Sequence, residues 1–174
     1  MSEKGFDKSM IKNRKLINKF VALMLSMALA IGFTTSVYAD GLDDLGKIVD
    51  GSKLTNEEVS EVIIDTLVRG NILNQGVARI SNNGNGSVNI YGAVLGSVKC
   101  DQLILDLTLQ RYSGGSWYNV EFYEDVAYNT TSLSKSYNVS VTSGYYYRVK
   151  AACVAKKGST VESQVPVSNG IWIG

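Results

Sequence analysis

From Val77 onward the apolar positions recur every second residue, whereas from Thr55 to Gly70 they recur at helical spacing. In "CDQLILDLTLQRY" the side chains of Leu103, Leu105, Leu107 and Leu109 fall on one face, and Asp106, Thr108 and Gln110 fall on the other. That alternation predicts a half-buried strand. "GVARIS" and "SVNIYGAVL" are shorter runs of the same kind, separated by "NNGNGS", where Asn and Gly supply the positive φ of a tight turn. "SGGS" turns the leucine strand back into "WYNVEFYEDVAY". Beyond it, Leu133, Tyr137, Val139 and Val141 alternate with Ser134, Ser136, Asn138 and Ser140, a strand with one wet face. "STVESQVPVSNGIWIG" supplies one or two closing strands.

Six to eight short strands with Gly, Asn and Ser turns predict an all-β domain over 77–174, an antiparallel β-sandwich of the immunoglobulin or fibronectin kind. A closed barrel is the alternative. No helical pattern lies between the strands, which excludes alternating helix–sheet folds.

The segment 40–76 reads as a flexible leader with a short amphipathic helix over about 56–69. Thr55 and Glu58 form a capping box, Val59, Val62, Ile63 and Leu67 make the apolar stripe, and Gly70 ends it. Asp40, Asp43 and Asp44 lack the alternating spacing of a calcium loop and read as a solvated tail. Upstream, Lys4, Lys8, Lys12, Arg14, Lys15 and Lys19 precede the apolar "VALMLSMALAIGFTTSVYA", which ends in the small-residue site Val37-Tyr38-Ala39. This predicts a secretory signal peptide over 1–39, cleaved after Ala39. Thr34, Thr35, Ser36 and Tyr38 break the apolar run before it reaches a spanning length, so the mature form is expected to have no membrane segment.

Cleavage changes the charge balance. The remaining 135 residues carry eleven basic and fourteen acidic side chains, a net charge of −3. A mildly acidic surface has no long-range attraction for nucleic acid or anionic lipid, so neither is an expected partner.

The chain contains no His. Ser-His-Asp and Cys-His catalysis and mixed His zinc sites are therefore excluded, and no cofactor is expected. The only motif left for an enzyme is a pair of acids drawn from Glu121, Glu124 and Asp125 in "VEFYED", as a carbohydrate-active enzyme would need. Cys100 opens the leucine strand and Cys153 closes the tyrosine strand, so antiparallel neighbours could bring them together at one end of the core. In a secreted chain the pair predicts a disulfide, which would close a loop of about fifty residues and stabilise the fold by about 4 kcal/mol. Two buried free thiols are the alternative.

In "TSGYYYRVKAACVA" strand parity puts Tyr145, Tyr147, Val149, Ala151 and Cys153 on the inner face. Tyr146, Arg148 and Lys150 are left as a basic-aromatic outer patch, which Trp117, Tyr118 and Tyr123 could join across the sheet. Such a patch could hold a cell-wall glycan by stacking, or another protein.

Taken together, "LILDLTLQRYSGGSWYNV", the serine-alternating strand, "VTSGYYYRVKAACVAKKGSTVES" and the closing "GIWIG" resemble the DUF6147 family, small secreted proteins of unknown function from Gram-positive, clostridia-like bacteria. The resemblance covers most of 70–174. It implies a secreted all-β domain and brings no assigned activity, ligand or catalytic residue. The expected function is that of a secreted, non-enzymatic binding or interaction module. A secreted bacteriocin- or toxin-like effector and a carbohydrate-active enzyme are the alternatives.

Overall fold

The computed structural model describes residues 43–65 and 72–174. The described residues all belong to one compact unit. The expected signal peptide and its cleavage site lie outside the described residues. No helix among the described residues is long and apolar enough to cross a membrane.

The described residues lie almost entirely in strands. In order these are β1 (Ile48–Val49), β2 (Ser52–Thr55), β3 (Val59–Asp65), β4 (Leu73–Gly84), β5 (Ser87–Ser113), β6 (Ser116–Ser140), β7 (Tyr145–Lys157), β8 (Thr160–Gln164) and β9 (Gly170–Ile173). They form one sheet in the order β1-β2-β9-β7-β5-β4-β3, with β6 paired to β5 and β8 paired to β7. Every pairing is antiparallel except β2 with β9, so the sheet is mixed.

The turns sit where the sequence places them. Gly84 pairs with Ser87 across Asn85 and Gly86, whose φ values of 53° and 65° make the two-residue turn that matches strand twist. Gly114 and Gly115 do the same between β5 and β6.

The sheet curls because β5 is too long to stay flat. Its register against β6 breaks between Leu95 and Cys100, and past that break the inward positions change from Val88, Ile90 and Val94 to Leu103, Leu105, Leu107 and Leu109. The break lets the two halves of β5 face each other. Gly92 lies at their contact: a Cβ there would sit 2.5 Å from Leu107 Cδ2, so only glycine admits this approach. The core between the halves also takes Ile80, Leu133, Tyr147, Val149, Ala151 and Ile171. Asn169 ties the two ends of the curl, donating its amide to Ser60 Oγ of β3 at 2.9 Å and accepting the Lys53 amide of β2 at 3.0 Å.

Two sequence expectations fail here. The described part of the expected helix over 56–69 is not helical: Val59–Asp65 is strand β3, paired residue for residue with Gln75–Ser81 of β4, and residues 66–69 lie outside the described residues. Val59, Val62, Ile63 and Ile64 are β-branched and suit a pleated edge as well as a helix stripe, and tertiary pairing decides between them. The supposed capping residue Thr55 instead closes a tight turn, its hydroxyl accepting the Glu57 amide at 3.1 Å.

The Cys100–Cys153 disulfide is also absent, and both are buried free thiols. Cys153 sits opposite Leu105, five residues along β5 from Cys100. At about 3.3 Å per residue that is about 16 Å, far beyond the reach of a disulfide. Cys100 donates to the Val98 carbonyl and Cys153 to the Ala93 carbonyl, each at 3.4 Å.

Candidate functional site

The tyrosine strand β7 divides by parity as the sequence implies, but its outer side is not open. Tyr147, Val149, Ala151 and Cys153 enter the core, whereas Tyr146 and Arg148 on the opposite side are only 1% and 3% exposed. The small hairpin β1–β2 covers them. Its turn is Asp50-Gly51, with φ of 50° and 76°, and its Leu54 packs into a second apolar cluster with Tyr112, Tyr146, Trp117 and Trp172.

Arg148 is the polar centre of this covered groove. Its Nε donates to Gln110 Oε1 at 2.8 Å, Nη1 to Ser52 Oγ at 2.9 Å and Nη2 to Asp50 Oδ2 at 3.0 Å. The guanidinium carbon lies 4.2 Å from the Trp117 ring centroid, a cation–π contact. Burial pulls the Arg148 pKa down, and the Asp50 carboxylate opposes that pull. The guanidinium stays charged in either case. Tyr146 packs edge-on to Trp172 with ring centroids 5.1 Å apart. Gly170 permits the arrangement, since a Cβ there would come within 2.7 Å of the Trp117 ring and 2.9 Å of Leu54. Three sequence candidates, Tyr146, Arg148 and Trp117, thus meet in one cluster, and the chain itself occupies it.

The other candidates scatter. Lys150 is exposed on the same side as Arg148, one step beyond the hairpin. Tyr118 is exposed near the β5–β6 turn. Tyr123 faces the core side of β6 and stacks on Tyr137 at 4.0 Å. Alternation also separates the acids, because Glu121 and Asp125 oppose the inward Leu109 and Leu105, while Glu124 opposes the outward Asp106. Asp125 is engaged already: it accepts the Tyr137 hydroxyl at 2.5 Å and pairs with Lys135 at 3.0 Å. The hydrogen bond to Asp125, followed by burial, pushes the Tyr137 pKa up to about 12.

The open surface lies beside the hairpin, on the outer face of β6, β5 and β7. Register places four rows across these strands: Phe122, Thr108 and Lys150; Glu124, Asp106 and Ala152; Val126, Ile104 and Val154; Tyr128, Gln102 and Lys156. Phe122, Val126 and Tyr128 are 59%, 38% and 67% exposed. The two rings lie six residue steps apart and end a strip of about 20 Å at strand rise. Between them Asp106 and Glu124 stand directly opposite. Burial and then the neighbouring Glu124 charge raise the Asp106 pKa. Asp106 Oδ1 is shielded from solvent yet finds no hydrogen-bond partner among the described residues. A shallow depression of about 430 Å³, lined by Thr108, Asn119, Val120, Glu121 and Phe122, lies over the bulge at the Phe122 end.

Chemically the face can stack flat apolar rings at two points and accept hydrogen bonds between them. Among the described residues no three His, Cys, Asp or Glu side chains gather into a metal site. Sequence reading by itself does not single out Asp106, Phe122 and Tyr128. The signal for the two rings was the i, i+2 alternation of "FYEDVAY", whereas Asp106 needs the β5–β6 register. No family model matches the chain, and no curated protein matches it.

Proposed function

We propose that the chain is a secreted, non-enzymatic binding module whose open β5–β6–β7 face takes an extended glycan strand of the bacterial cell wall. The observation that carries this reading is the exposed strip from Phe122 to Tyr128 with the Asp106–Glu124 pair at its middle. Sugar rings offer apolar faces that stack on aromatic rings, and their hydroxyls donate to carboxylates. A flat, elongated strip suits a chain of sugars better than a compact ligand, which needs an enclosing pocket. Flatness also argues for binding over hydrolysis, because a hydrolytic acid pair must flank the scissile bond, which a concave cleft allows and a flat strip does not. Secretion through cleavage after Ala39 and membership of the DUF6147 family belong to the same proposal. So does the finer description of the curled sheet as a two-layer sandwich of the immunoglobulin or fibronectin kind, which rests on the two halves of β5 facing each other.

A glycan array probed with the wild-type chain and with Phe122→Ala and Tyr128→Ala tests the assignment. Retention of the wild type on polysaccharide, with about tenfold weaker binding for each variant, is expected from the loss of a stacking contact. Shortening of the same polysaccharide by the wild type, lost in a Glu124→Gln chain that still binds it, would instead establish the enzyme reading. Growth arrest of related bacteria without any glycan retention would favour the effector reading.

A further inference from the structure

The groove beneath β1–β2 has the construction of a strand-docking site, and what fills it is only lightly attached. On the body side lie a guanidinium, a tryptophan and a tyrosine, all held by long strands. On the hairpin side the backbone pairs with the sheet at two positions, Leu54 with Gly170 and Thr55 with Ile171, and one further amide, that of Lys53, donates to the Asn169 side chain. The Arg148–Asp50 pair is lopsided, with one side chain 3% exposed and the other 77%. Beneath the hairpin, Trp117 Nε1 and the Tyr146 hydroxyl are shielded and have no hydrogen-bond partner among the described residues. The resident segment leaves two buried donors unmet, which lowers the cost of removing it.

We infer that the β1–β2 hairpin is a displaceable strap, and that the groove accepts in trans the same hairpin from a second copy of the chain. The strap is the one segment whose fit to the groove is known: Asp50 meets Arg148, Ser52 meets the second nitrogen and Leu54 fills the aromatic cluster. A copy from a neighbouring molecule would form the same contacts, including parallel addition to β9. The connector from β2 to β3 is only Asn56, Glu57 and Glu58, and a short hinge between exchangeable elements favours exchange. In the monomer the strap competes at an effective concentration of about millimolar, so exchange is a high-concentration event.

The test uses the whole chain carrying Asp50→Ala and Leu54→Ala, which weakens its own strap, and a fluorescent peptide of sequence DDLGKIVDGSKLT, residues 43–55. Anisotropy is expected to show peptide binding about tenfold tighter than to the wild-type chain, because more grooves stand open. Adding Arg148→Met is expected to remove that gain. A cooperatively folded double variant that fails to bind the peptide overturns the inference. Should the variant not fold, hydrogen exchange in the wild-type chain decides: the Leu54 amide, which donates to the Lys47 carbonyl, exchanges well before those of Leu107 and Val149 if the strap opens. Equal protection overturns it. Light scattering near millimolar wild-type chain is expected to show a dimer that excess peptide dissolves, and a strict monomer rules out the second copy as the occupant.

Discussion

Arg148 shows how a single residue can be read correctly for its side of the strand and wrongly for its surroundings. Parity placed it opposite Val149, which holds, but solvent on that side is excluded by a segment about a hundred residues earlier in the chain. The guanidinium is buried with three side-chain partners, so the energetic roles within the pair are unequal. Asp50→Ala removes a partner that is mostly in water and is expected to cost about 1 kcal/mol. Arg148→Ala also empties the space against Trp117 and is expected to cost about 3 kcal/mol. Urea unfolding of the two variants checks the order. At Cys153 burial pushes the thiol pKa up to about 12, and burial raises that of Cys100 as well. Neither thiol is expected to react with a disulfide reagent at neutral pH until the chain unfolds, when two thiols are titrated. Reaction of one thiol in the native state, or a mass gain of two hydrogens on reduction, would contradict the free pair.

Among the elements, β5 was the most legible, because four leucines at spacing two admit no other regular structure. Its bend was not legible: the parity change between Leu95 and Cys100 depends on how two halves of one strand pack, and Gly92 gives no local sign of that contact. Gly92→Ala is expected to destabilise the fold by about 2–3 kcal/mol through overpacking against Leu107 and Leu105, measured by chemical denaturation. In β3 the spacing of Val59, Val62 and Ile63 is helical, and pairing with β4 overrides it, because β-branched residues suit a pleated edge. β1–β2 was read as leader because its apolar residues are few. Its one local clue is Asp50-Gly51, a turn pair flanked by Val49 and Ser52, and the Arg148 partner that makes the hairpin matter is far away in sequence. The disulfide failed for a related reason, since residue order does not reveal that Cys100 and Cys153 lie five rungs apart.

At the scale of the fold, the sheet closes on itself through Asn169 and, among the described residues, leaves one long face open, so the core and the proposed binding face lie on opposite sides of β5 and β6. The pH dependence of stability follows from two groups whose folded pKa lies above the unfolded one. Tyr137 and Cys153 both resist ionisation in the fold, each with a pKa of about 12. Their contribution is complete below the unfolded values of about 10 and about 9, and it is lost as pH rises toward 12. The urea midpoint is expected to fall steadily above pH 9, and Tyr137→Phe is expected to flatten the upper part of that fall. The open face belongs to the same scale, because its four rows exist only once β5, β6 and β7 are in register. The most direct test of the binding account is an amide chemical-shift titration of the isotopically labelled chain with soluble wall polysaccharide. The account predicts shifts confined to the rows from Phe122 to Tyr128, Ile104 to Thr108 and Lys150 to Val154, and their loss in a Phe122→Ala/Tyr128→Ala chain. Shifts centred elsewhere, or none at saturating polysaccharide, would contradict it.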